Sequence, residues 1–468
     1  MKIRWRVGRA GGHVAEERYS KVPQARLARL AALGQMAGGV AAGALGEGMR
    51  QLARGERPRI PDLLLTPANM RRVTDQLSRM RGAAMKLGQM ISLDAGDVLP
   101  PELTAILAQL RESAHVMPPR QLDQVLVGAW GPEWRSRFQQ FDVRPIAAAS
   151  IGQVHRARLR SGRELAIKVQ YPGVAASIDA DIDNVAALLR YSGLLPAGLD
   201  IAPLLAEAKR QLHEEADYLR EAEQMRRYRA LLADDPRFAL PEPVDDLVAP
   251  TVLPMDFVSG APIESLSDES QARRDAACGA LLELVLRELF VFGYMQTDPN
   301  FANFKWRKED GRILLLDFGA ARPIPPDTAA AYRDLLWAGL AEDRMALQDV
   351  LVRHGFVSDA QMRRNGPALA EMIGIVLAHV GRSRGGAGLF DFADRAFVGA
   401  LRDAAAPVVA DRASWHVPPV HTLFVQRKIS GTALLCVRMR ARVPLVALAA
   451  RHAAQAHDPA PCGPEAVA

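Results

Sequence analysis

The sequence predicts an α+β fold with two lobes, a small one rich in strands and a larger helical one. Residues 154–170 alternate between apolar and polar side chains on either side of a Ser-Gly turn, which is the pattern of a β-hairpin. Long segments before and after this hairpin instead repeat apolar residues at helical spacing. With 468 residues, 49% of them hydrophobic, the chain can bury a sizeable core.

The stretch from Tyr294 to Arg322 carries the clearest chemical motifs. Asp298 and Asn303 have the spacing of a protein-kinase catalytic loop, in which the Asp takes or orients the proton of the attacking hydroxyl and the Asn holds Mg²⁺. Asp317 follows a predicted buried strand, Ile313–Leu316, and begins an Asp-Phe-Gly motif, the other magnesium ligand of such enzymes. Each motif alone is more often an ordinary turn. Their order, with a strand between them, favours the catalytic interpretation.

The predicted hairpin resembles the start of a kinase small lobe. Its second strand carries Lys168 in an Ala-Ile-Lys sequence, from which a lysine reaches the α- and β-phosphates of ATP. The loop before the hairpin would cover the phosphates, and its residues are Ala147, Ala148, Ala149 and Ser150. Because alanine lacks the freedom of glycine at positive φ, this loop should be stiff and should grip a nucleotide differently. That feature argues against ordinary phosphoryl transfer.

A long helix is predicted from Ile201 to Leu232, and a kinase needs one carboxylate there to hold the strand lysine. Glu215 and Glu221 are six residues apart and would face directions about 120° apart, so they should not serve the same lysine. Asp217 and Glu221 would share a face.

The sequence of residues 251–260 predicts a strand that passes into a linker between the lobes. The backbone of four residues near its end is expected to bind the adenine edge: Asp256, Phe257, Val258 and Ser259. The next helix should begin with Ser267 as its N-cap and with acidic residues in its first turn.

The N-terminal region is basic, but no apolar stretch follows directly, so a secretory signal is not predicted. Leu30–Gly46 is rich in Ala, Gly and Leu and has glycine pairs at the spacing of packed membrane helices. It is shorter than the ~20 residues of a span. A helix that packs on the protein or lies at a membrane surface is therefore favoured over a span.

The net charge of +6 is modest, and its scattered basic residues permit contact with anionic membranes or phosphates but do not indicate nucleic-acid binding. Three cysteines without pairing or metal spacing, Cys278, Cys436 and Cys462, indicate free thiols in a reducing compartment. From periodicity alone, Lys86 and Gln89 are solvated residues near a helix kink.

Together these motifs resemble the UbiB (AarF-domain) family of atypical protein-kinase-like proteins, in the branch linked to coenzyme Q biosynthesis. The resemblance covers roughly residues 65 to 445. Its motifs are Lys86-Leu-Gly-Gln89, the 147–153 loop, Ala-Ile-Lys168, Glu215-Ala-Asp217, the 295–303 loop with Gln and Thr before its Asp, Asp317-Phe-Gly, and residues 426–431.

The resemblance implies a bilobal protein-kinase-like fold with an N-terminal helical extension. It also implies that Lys86 and Gln89 fold over the active site near the nucleotide, which reverses the interpretation from periodicity. The Glu-x-Asp pair would lie against that segment, leaving Glu221 to pair with Lys168. Independently, the chain after Asp317-Phe-Gly is predicted to enter a helix near Thr328 without an activation segment, so no platform for protein substrates is expected.

The expected organisation is a basic N-terminal segment with an Ala/Gly-rich helix and linker (1–62), a helical extension (63–140), a small lobe (141–255), a large lobe (256–451) and a disordered tail (452–468). The expected partners are ATP with Mg²⁺, a lipid or quinone precursor, a peripheral membrane surface and enzymes of ubiquinone biosynthesis. A homodimer is left open. The expected location is the bacterial cytoplasm, at the inner membrane.

The sequence therefore predicts a Mg²⁺-dependent enzyme that hydrolyses ATP or phosphorylates a small molecule or lipid in support of ubiquinone biosynthesis. Asp298 would position or deprotonate the acceptor, Asn303 and Asp317 would hold Mg²⁺, and Lys168 would neutralise phosphate charge. The alternative is a nucleotide-gated scaffold, a lipid-binding pseudokinase without phosphoryl transfer, favoured by the alanine loop and the occluding helices. A conventional protein kinase is a third, less favoured reading.

Overall fold

The computed structural model describes residues 116–149, 151–191, 202–384, 388–411 and 418–455. The chain divides into two compact units, and the described parts of these are residues 116–191 and 202–455. The expected lobe boundary at 255/256 differs from this division and stays a prediction. The predicted helix at Leu30–Gly46, the Lys86 and Gln89 segment and Ser150 lie outside the described residues.

The first unit is a small antiparallel sheet with a helix before it and a helix after it. Its elements are α1 (Pro119–Trp130), β1 (Phe138–Phe141), β2 (Ala147–Ala148), β3 (Gly152–Leu159), β4 (Glu164–Gln170) and α2 (Val174–Tyr191). Strand β3 pairs with β1, β2 and β4. The predicted hairpin is confirmed as β3 and β4, and Gly162 in its turn has a φ of 91°, a conformation that favours glycine.

The core of the first unit lies on one face of β4. Leu165, Ile167 and Val169 alternate along the strand and are fully buried. An aromatic group supports the sheet beside α1, with Trp134 packed edge-on against Phe141 at a ring-centroid distance of 5.0 Å.

The second unit is mainly helical. Its helices are α3 (Ala202–Glu215), α4 (Tyr218–Leu231), α5 (Gln271–Phe290), α6 (Pro326–Leu340), α7 (Arg344–Arg353), α8 (Asp359–Arg384), α9 (Arg395–Ala410), α10 (Val420–Met439) and α11 (Leu445–Gln455). Its strands are β5 (Phe238–Ala239), β6 (Val252–Asp256), β7 (Ala261–Pro262), β8 (Tyr294–Gln296), β9 (Phe304–Trp306), β10 (Ile313–Leu315), β11 (Ala321–Pro323), β12 (Phe390–Asp391) and β13 (Arg442–Val443).

Short strands of the second unit carry the loops with the predicted catalytic motifs. Strand β10 pairs in parallel with β5 and antiparallel with β9, and β9 pairs with β7. Strands β8 and β11 form a separate antiparallel pair. Helix α5 packs against β8 and against α10 and α11. Met295 of β8 is buried in the same apolar cluster as Val285 and Leu289 of α5.

The long helix predicted from Ile201 to Leu232 is wrong, because the structure has two helices, α3 and α4. The side chain of Asp217 caps the second helix, accepting a hydrogen bond from the Arg220 backbone N–H at 2.9 Å. A helical wheel therefore does not apply across the break, and the expected divergence of Glu215 from Glu221 loses its basis.

The predicted start of helix α5 and the predicted start of the C-terminal tail are also wrong. Helix α5 begins at Gln271 without acidic residues in its first turn, and Ser267 lies in the preceding 3₁₀ turn, Ile263–Asp268. Helix α11 continues to Gln455 with His452 buried, so the predicted start of the tail at His452 is wrong. Among the residues that the structure describes, no helix combines the length and apolarity needed to cross a bilayer.

Candidate active site

Asp298 lies just after strand β8, and a tight loop places Asn303 beside it. The Asn303 Nδ2 donates to the Asp298 carboxylate at 3.2 Å and contacts its backbone carbonyl at 3.4 Å. The Asn300 side chain accepts from the Ala302 N–H at 3.1 Å, which stabilises the 3₁₀ turn Phe301–Asn303. Asp298 and Asn303 are both half-buried. The four-residue interval thus brings carboxylate and amide together.

Asp317 reaches the same place from the end of β10. The Leu316 N–H donates to the Asn303 carbonyl at 3.0 Å, so the residue before Asp317 is tied to the catalytic loop by a backbone hydrogen bond. Asn303 and Asp317 line one small cavity. The Asp317 Oδ1 also accepts the Gly319 N–H at 3.0 Å. Asp298, Asn303 and Asp317 therefore form one local site.

Two further predicted carboxylates approach the Asp-Phe-Gly motif. A Cβ placed on Gly319 would lie 3.4 Å from the Asp317 Oδ1, 3.7 Å from the Glu215 Cγ and 3.8 Å from the Glu221 Cδ. The break between α3 and α4 allows Glu215 and Glu221 to converge here. Glu221 is fully buried. Carboxylates gathered in this way attract a cation, and Asp217 stands apart because it is exposed and serves as the cap of α4.

Asp317 and Asn303 supply the donors that Mg²⁺ takes in nucleotide sites. The described residues contain no group of three His, Cys, Asp or Glu side chains that would hold a metal alone. Mg²⁺ usually binds through one or two protein oxygens and completes its shell with water and phosphate oxygens. One carboxylate and one amide that line a small cavity fit that requirement.

The segment after Asp-Phe-Gly is held by arginines that the sequence analysis missed. The Arg220 guanidinium donates to the Gly319 carbonyl at 2.8 Å and to the Ala321 carbonyl at 2.5 Å. Arg322 is buried and pairs with Glu214 at 2.9 Å and with Glu207 at 3.3 Å. These contacts fasten the motif to α3 and α4. The only signal in the sequence was the presence of arginines near the motifs, which is common in this Arg-rich chain.

A link also joins the catalytic loop to this segment. The Thr297 Oγ1 donates to the Ala320 carbonyl at 2.9 Å, and its backbone N–H points to the same oxygen at 3.3 Å. Thr297 is buried. The residue before Asp298 is thus tied to the chain that follows Asp317.

In the first unit, Lys168 lies on the face of β4 opposite its apolar residues and is 9% exposed. Ala147 and Ala148 form β2 and pair with Val154 and Gln153 of β3, while the Ala149 N–H donates to the Gly152 carbonyl at 2.9 Å. The alanine segment is therefore a tight hairpin. The predicted pairing of Lys168 with Glu221 stays a prediction.

The four residues predicted to bind adenine lie at the end of β6 and just beyond it. The Asp256 N–H already donates to the Glu242 carbonyl at 3.0 Å, so this N–H is engaged within the second unit. Phe257, Val258 and Ser259 follow in irregular structure and stay predicted adenine contacts.

A buried charged group behind the catalytic loop was also missed. Glu288 of α5 and Lys428 of α10 are 0% and 2% exposed, and both line the cavity that Asn303 and Asp317 share. Burial raises the pKa of Glu288 above its usual range, although the Lys428 charge opposes the shift. The two residues are far apart in the sequence, and each lies in a helix that also carries other charged residues.

Known proteins resemble this chain over most of its length. A profile described as the ABC1 atypical kinase-like domain matches residues 109–351. "Atypical kinase COQ8, mitochondrial" from Saccharomyces cerevisiae is 38% identical over 424 residues, 91% of this chain and 84% of that protein. "Atypical kinase COQ8B, mitochondrial" from Danio rerio is 37% identical over 432 residues, 92% of this chain and 68% of that protein.

A solved structure described as "The complex structure of Rv3197-erythromycin from Mycobacterium tuberculosis" has a similar fold. Its TM-score is 0.56 at 26% identity, over 81% of this chain and 95% of that one. The expected location in the bacterial cytoplasm at the inner membrane is wrong by these comparisons, since both similar kinases are named as mitochondrial proteins.

Proposed function

Because the chain belongs to the ABC1 atypical kinase-like family, we propose that it binds ATP with Mg²⁺ and hydrolyses it or phosphorylates a small molecule or lipid. The family and the α+β kinase-like fold expected from the sequence are confirmed. The observation that carries the proposal is that the Asn303 side chain donates to Asp298, while the N–H of the residue before Asp317 donates to the Asn303 carbonyl.

Each residue of this site has a distinct proposed task. Asn303 and Asp317 would hold Mg²⁺ through an amide and a carboxylate oxygen. When bound, Mg²⁺ neutralises charge on the β- and γ-phosphates. Asp298 would accept or orient the proton of the attacking hydroxyl or water, and its hydrogen bond from Asn303 fixes the carboxylate for that task. Lys168 is proposed to neutralise phosphate charge from the first unit.

The second group of carboxylates is proposed to organise the nucleotide side of the site. Glu221, fully buried beside Gly319, is proposed as the partner of Lys168, and Glu215 and Asp217 as partners of the Lys86 and Gln89 segment. The resemblance to COQ8 supports a role in ubiquinone biosynthesis, with enzymes of that pathway, a lipid or quinone precursor and a membrane surface as proposed partners. Homodimerisation is a further open proposal.

The alternative is a nucleotide-gated scaffold without phosphoryl transfer. It is favoured by the tight pairing of Ala147 and Ala148 with β3, because a hairpin of this kind gives backbone N–H groups less access to phosphates than a glycine loop. Under this alternative the protein binds Mg²⁺ and ATP but releases no phosphate.

Phosphate release from MgATP by the full chain tests the proposal, with Asp317→Asn as the main variant. Loss of the carboxylate should lower turnover at least ~100-fold, as does removal of one well-placed electrostatic group in other enzymes. Asp310→Asn is the matched control, because Asp310 is a surface carboxylate of the turn between β9 and β10 that pairs with Arg307. The control should keep its activity.

The same assay separates the candidate functions. Anionic liposomes and phenolic quinone precursors are added in turn, and the transfer of phosphate to the added molecule is measured beside its release to water. Nucleotide binding without phosphate release under all these conditions supports the scaffold. Unchanged turnover in both Asp317→Asn and Lys168→Met would refute the proposed site.

A further inference from the structure

A buried ion pair lies directly behind the catalytic loop. The Lys428 Nζ is 3.6 Å from the Glu288 Oε2, and neither side chain is more than 3% exposed. A buried pair of this kind is weak evidence for stability, because the cost of removing two charges from water offsets their attraction. Apolar residues of similar size would commonly serve the core as well, so the position of the pair needs another reason.

Both members of the pair hold Gln296, which stands two residues before Asp298. The Lys428 Nζ donates to the Gln296 Oε1 at 3.1 Å, and the Gln296 N–H donates to the Glu288 Oε1 at 3.2 Å. Tyr228 fixes the same Glu288 oxygen from the other side through an O–H donor at 2.8 Å. At the end of β8, the backbone N–H of Gln296 is therefore bound by one charged residue of the pair, and the Gln296 side chain is bound by the other.

Helix α10 also touches the residue after Asp298. A Cβ placed on Gly431 would lie 2.6 Å from the Pro299 Cγ and closer still to its Cβ, so only glycine permits this approach. Gly431 follows Lys428 by three residues and lies on the same side of the helix. One helix thus contacts the catalytic loop on both sides of Asp298, at Gln296 and at Pro299.

The pair also reaches the proposed magnesium ligands through a shared cavity. This cavity, of about 10 Å³, is lined by Glu288, Lys428 and Gln296 and also by Asn303 and Asp317. Its size is close to that required for one water molecule. The Glu288 Oε2 and the Gln296 Nε2 are buried and have no hydrogen-bond partner within the protein, and both residues line this cavity.

We propose that Glu288 and Lys428 are positioning residues that hold the catalytic loop and, through it and the shared cavity, set the metal affinity of Asn303 and Asp317. The inference rests on the proposed Mg²⁺-ATP site. It assigns to α5 and α10 the task of fixing Asp298 and its neighbours, which explains why a charged pair occupies a core position.

The test compares Lys428→Met with the double variant Glu288→Met/Lys428→Met. The single variant leaves an uncompensated buried carboxylate and should lower both the melting temperature and turnover. The double variant removes both charges and should recover most of the melting temperature. It should still need roughly 10-fold more Mg²⁺ for half-maximal turnover, as when groups that orient metal ligands are lost. A purely structural pair would recover both quantities together.

A readout besides activity keeps the test independent of turnover. Mn²⁺ binding in the presence of a non-hydrolysable ATP analogue, followed by electron paramagnetic resonance, should weaken roughly 10-fold in the double variant. Asp235→Asn is the control, since Asp235 is a buried carboxylate of the same unit that pairs with Arg237 and Arg287 and does not line the cavity. It should lower the melting temperature without changing the Mn²⁺ affinity.

The outcomes distinguish this inference from the proposed function. If the wild-type protein releases no phosphate but binds Mn²⁺ with the nucleotide, the proposed enzyme fails and the positioning role is still measured by Mn²⁺. If the wild-type protein turns over ATP and the double variant keeps wild-type Mg²⁺ and Mn²⁺ affinities, the positioning role is refuted alone. Absence of Mn²⁺ and nucleotide binding in the wild-type protein overturns both.

Discussion

Replacing Arg220 with alanine removes the two hydrogen bonds that hold the chain just after Asp317. The guanidinium donates to the Gly319 and Ala321 carbonyls at 2.8 and 2.5 Å. A hydrogen bond from a charged group contributes about 1.5–3 kcal/mol. Because the Arg220 side chain is 23% exposed, the lower end applies, and the two bonds together contribute about 3 kcal/mol.

The two lost hydrogen bonds stabilise the segment that carries a proposed magnesium ligand. If the whole of this lost free energy destabilises the Mg²⁺-bound state, the Mg²⁺ affinity falls by at most about 100-fold. Each 1.4 kcal/mol is a factor of ten in a binding constant. Equilibrium unfolding in denaturant gives the stability, and a Mg²⁺ titration of turnover or of Mn²⁺ displacement gives the affinity. Arg220→Lys should fall between wild type and alanine, since a lysine cannot reproduce the two-pronged geometry.

Arg226→Ala is the matched control for this prediction. Arg226 lies in the same helix and pairs with Glu223 and Asp245, but all three side chains are well exposed, so its loss should cost less than about 1 kcal/mol. Equal effects of Arg220→Ala and Arg226→Ala on both stability and Mg²⁺ affinity would refute the reasoning.

Two further predictions use local geometry. Gly431→Ala should lower the free energy of unfolding in denaturant by about 1–3 kcal/mol and slow turnover, because the new methyl would overlap Pro299. Gly279→Ala is the control and should be neutral or stabilising, since its methyl would lie 3.7 Å from its nearest neighbour. Equal effects of the two substitutions would contradict the argument. Burial lowers the pKa of His155 to about 4, so between that value and the ordinary 6.5 the unfolded state binds more protons. Stability should therefore fall by roughly 3 kcal/mol as pH drops through this window, and His155→Gln should flatten that part of the unfolding profile.

The local parts of the site could be predicted because their geometry is set by neighbouring residues. The interval between Asp298 and Asn303 is a short turn, and Asp317 directly follows a strand whose apolar residues are visible in the sequence. Those arrangements need few long-range contacts. The hairpin of β3 and β4 was predictable for the same reason, since its turn chemistry and its alternation lie within one short stretch.

The break between α3 and α4 was missed although its signal is present. Asp217 is a favoured N-cap residue, but the residues around it are good helix formers and the apolar pattern continues on both sides. Propensity therefore favoured one helix, whereas the capped break lets Glu215 and Glu221 both approach Gly319. The error changed the expected direction of two site residues, not only a boundary.

Contacts between segments far apart in the chain determine the features of the site that could not be predicted from the sequence. Helix α5 contains Glu283 and Glu288 among similar apolar neighbours, and nothing in the spacing marks one of them for an outer ion pair with Arg237 and the other for full burial beside Lys428. The difference arises only when α10 crosses α5 and brings a lysine and a glycine against the catalytic loop. Since a buried charge is costly without a partner, the two helices must pack in this one register. The register that satisfies the pair also fixes Gln296, and this coupling ties the assembly of the core to the placement of Asp298.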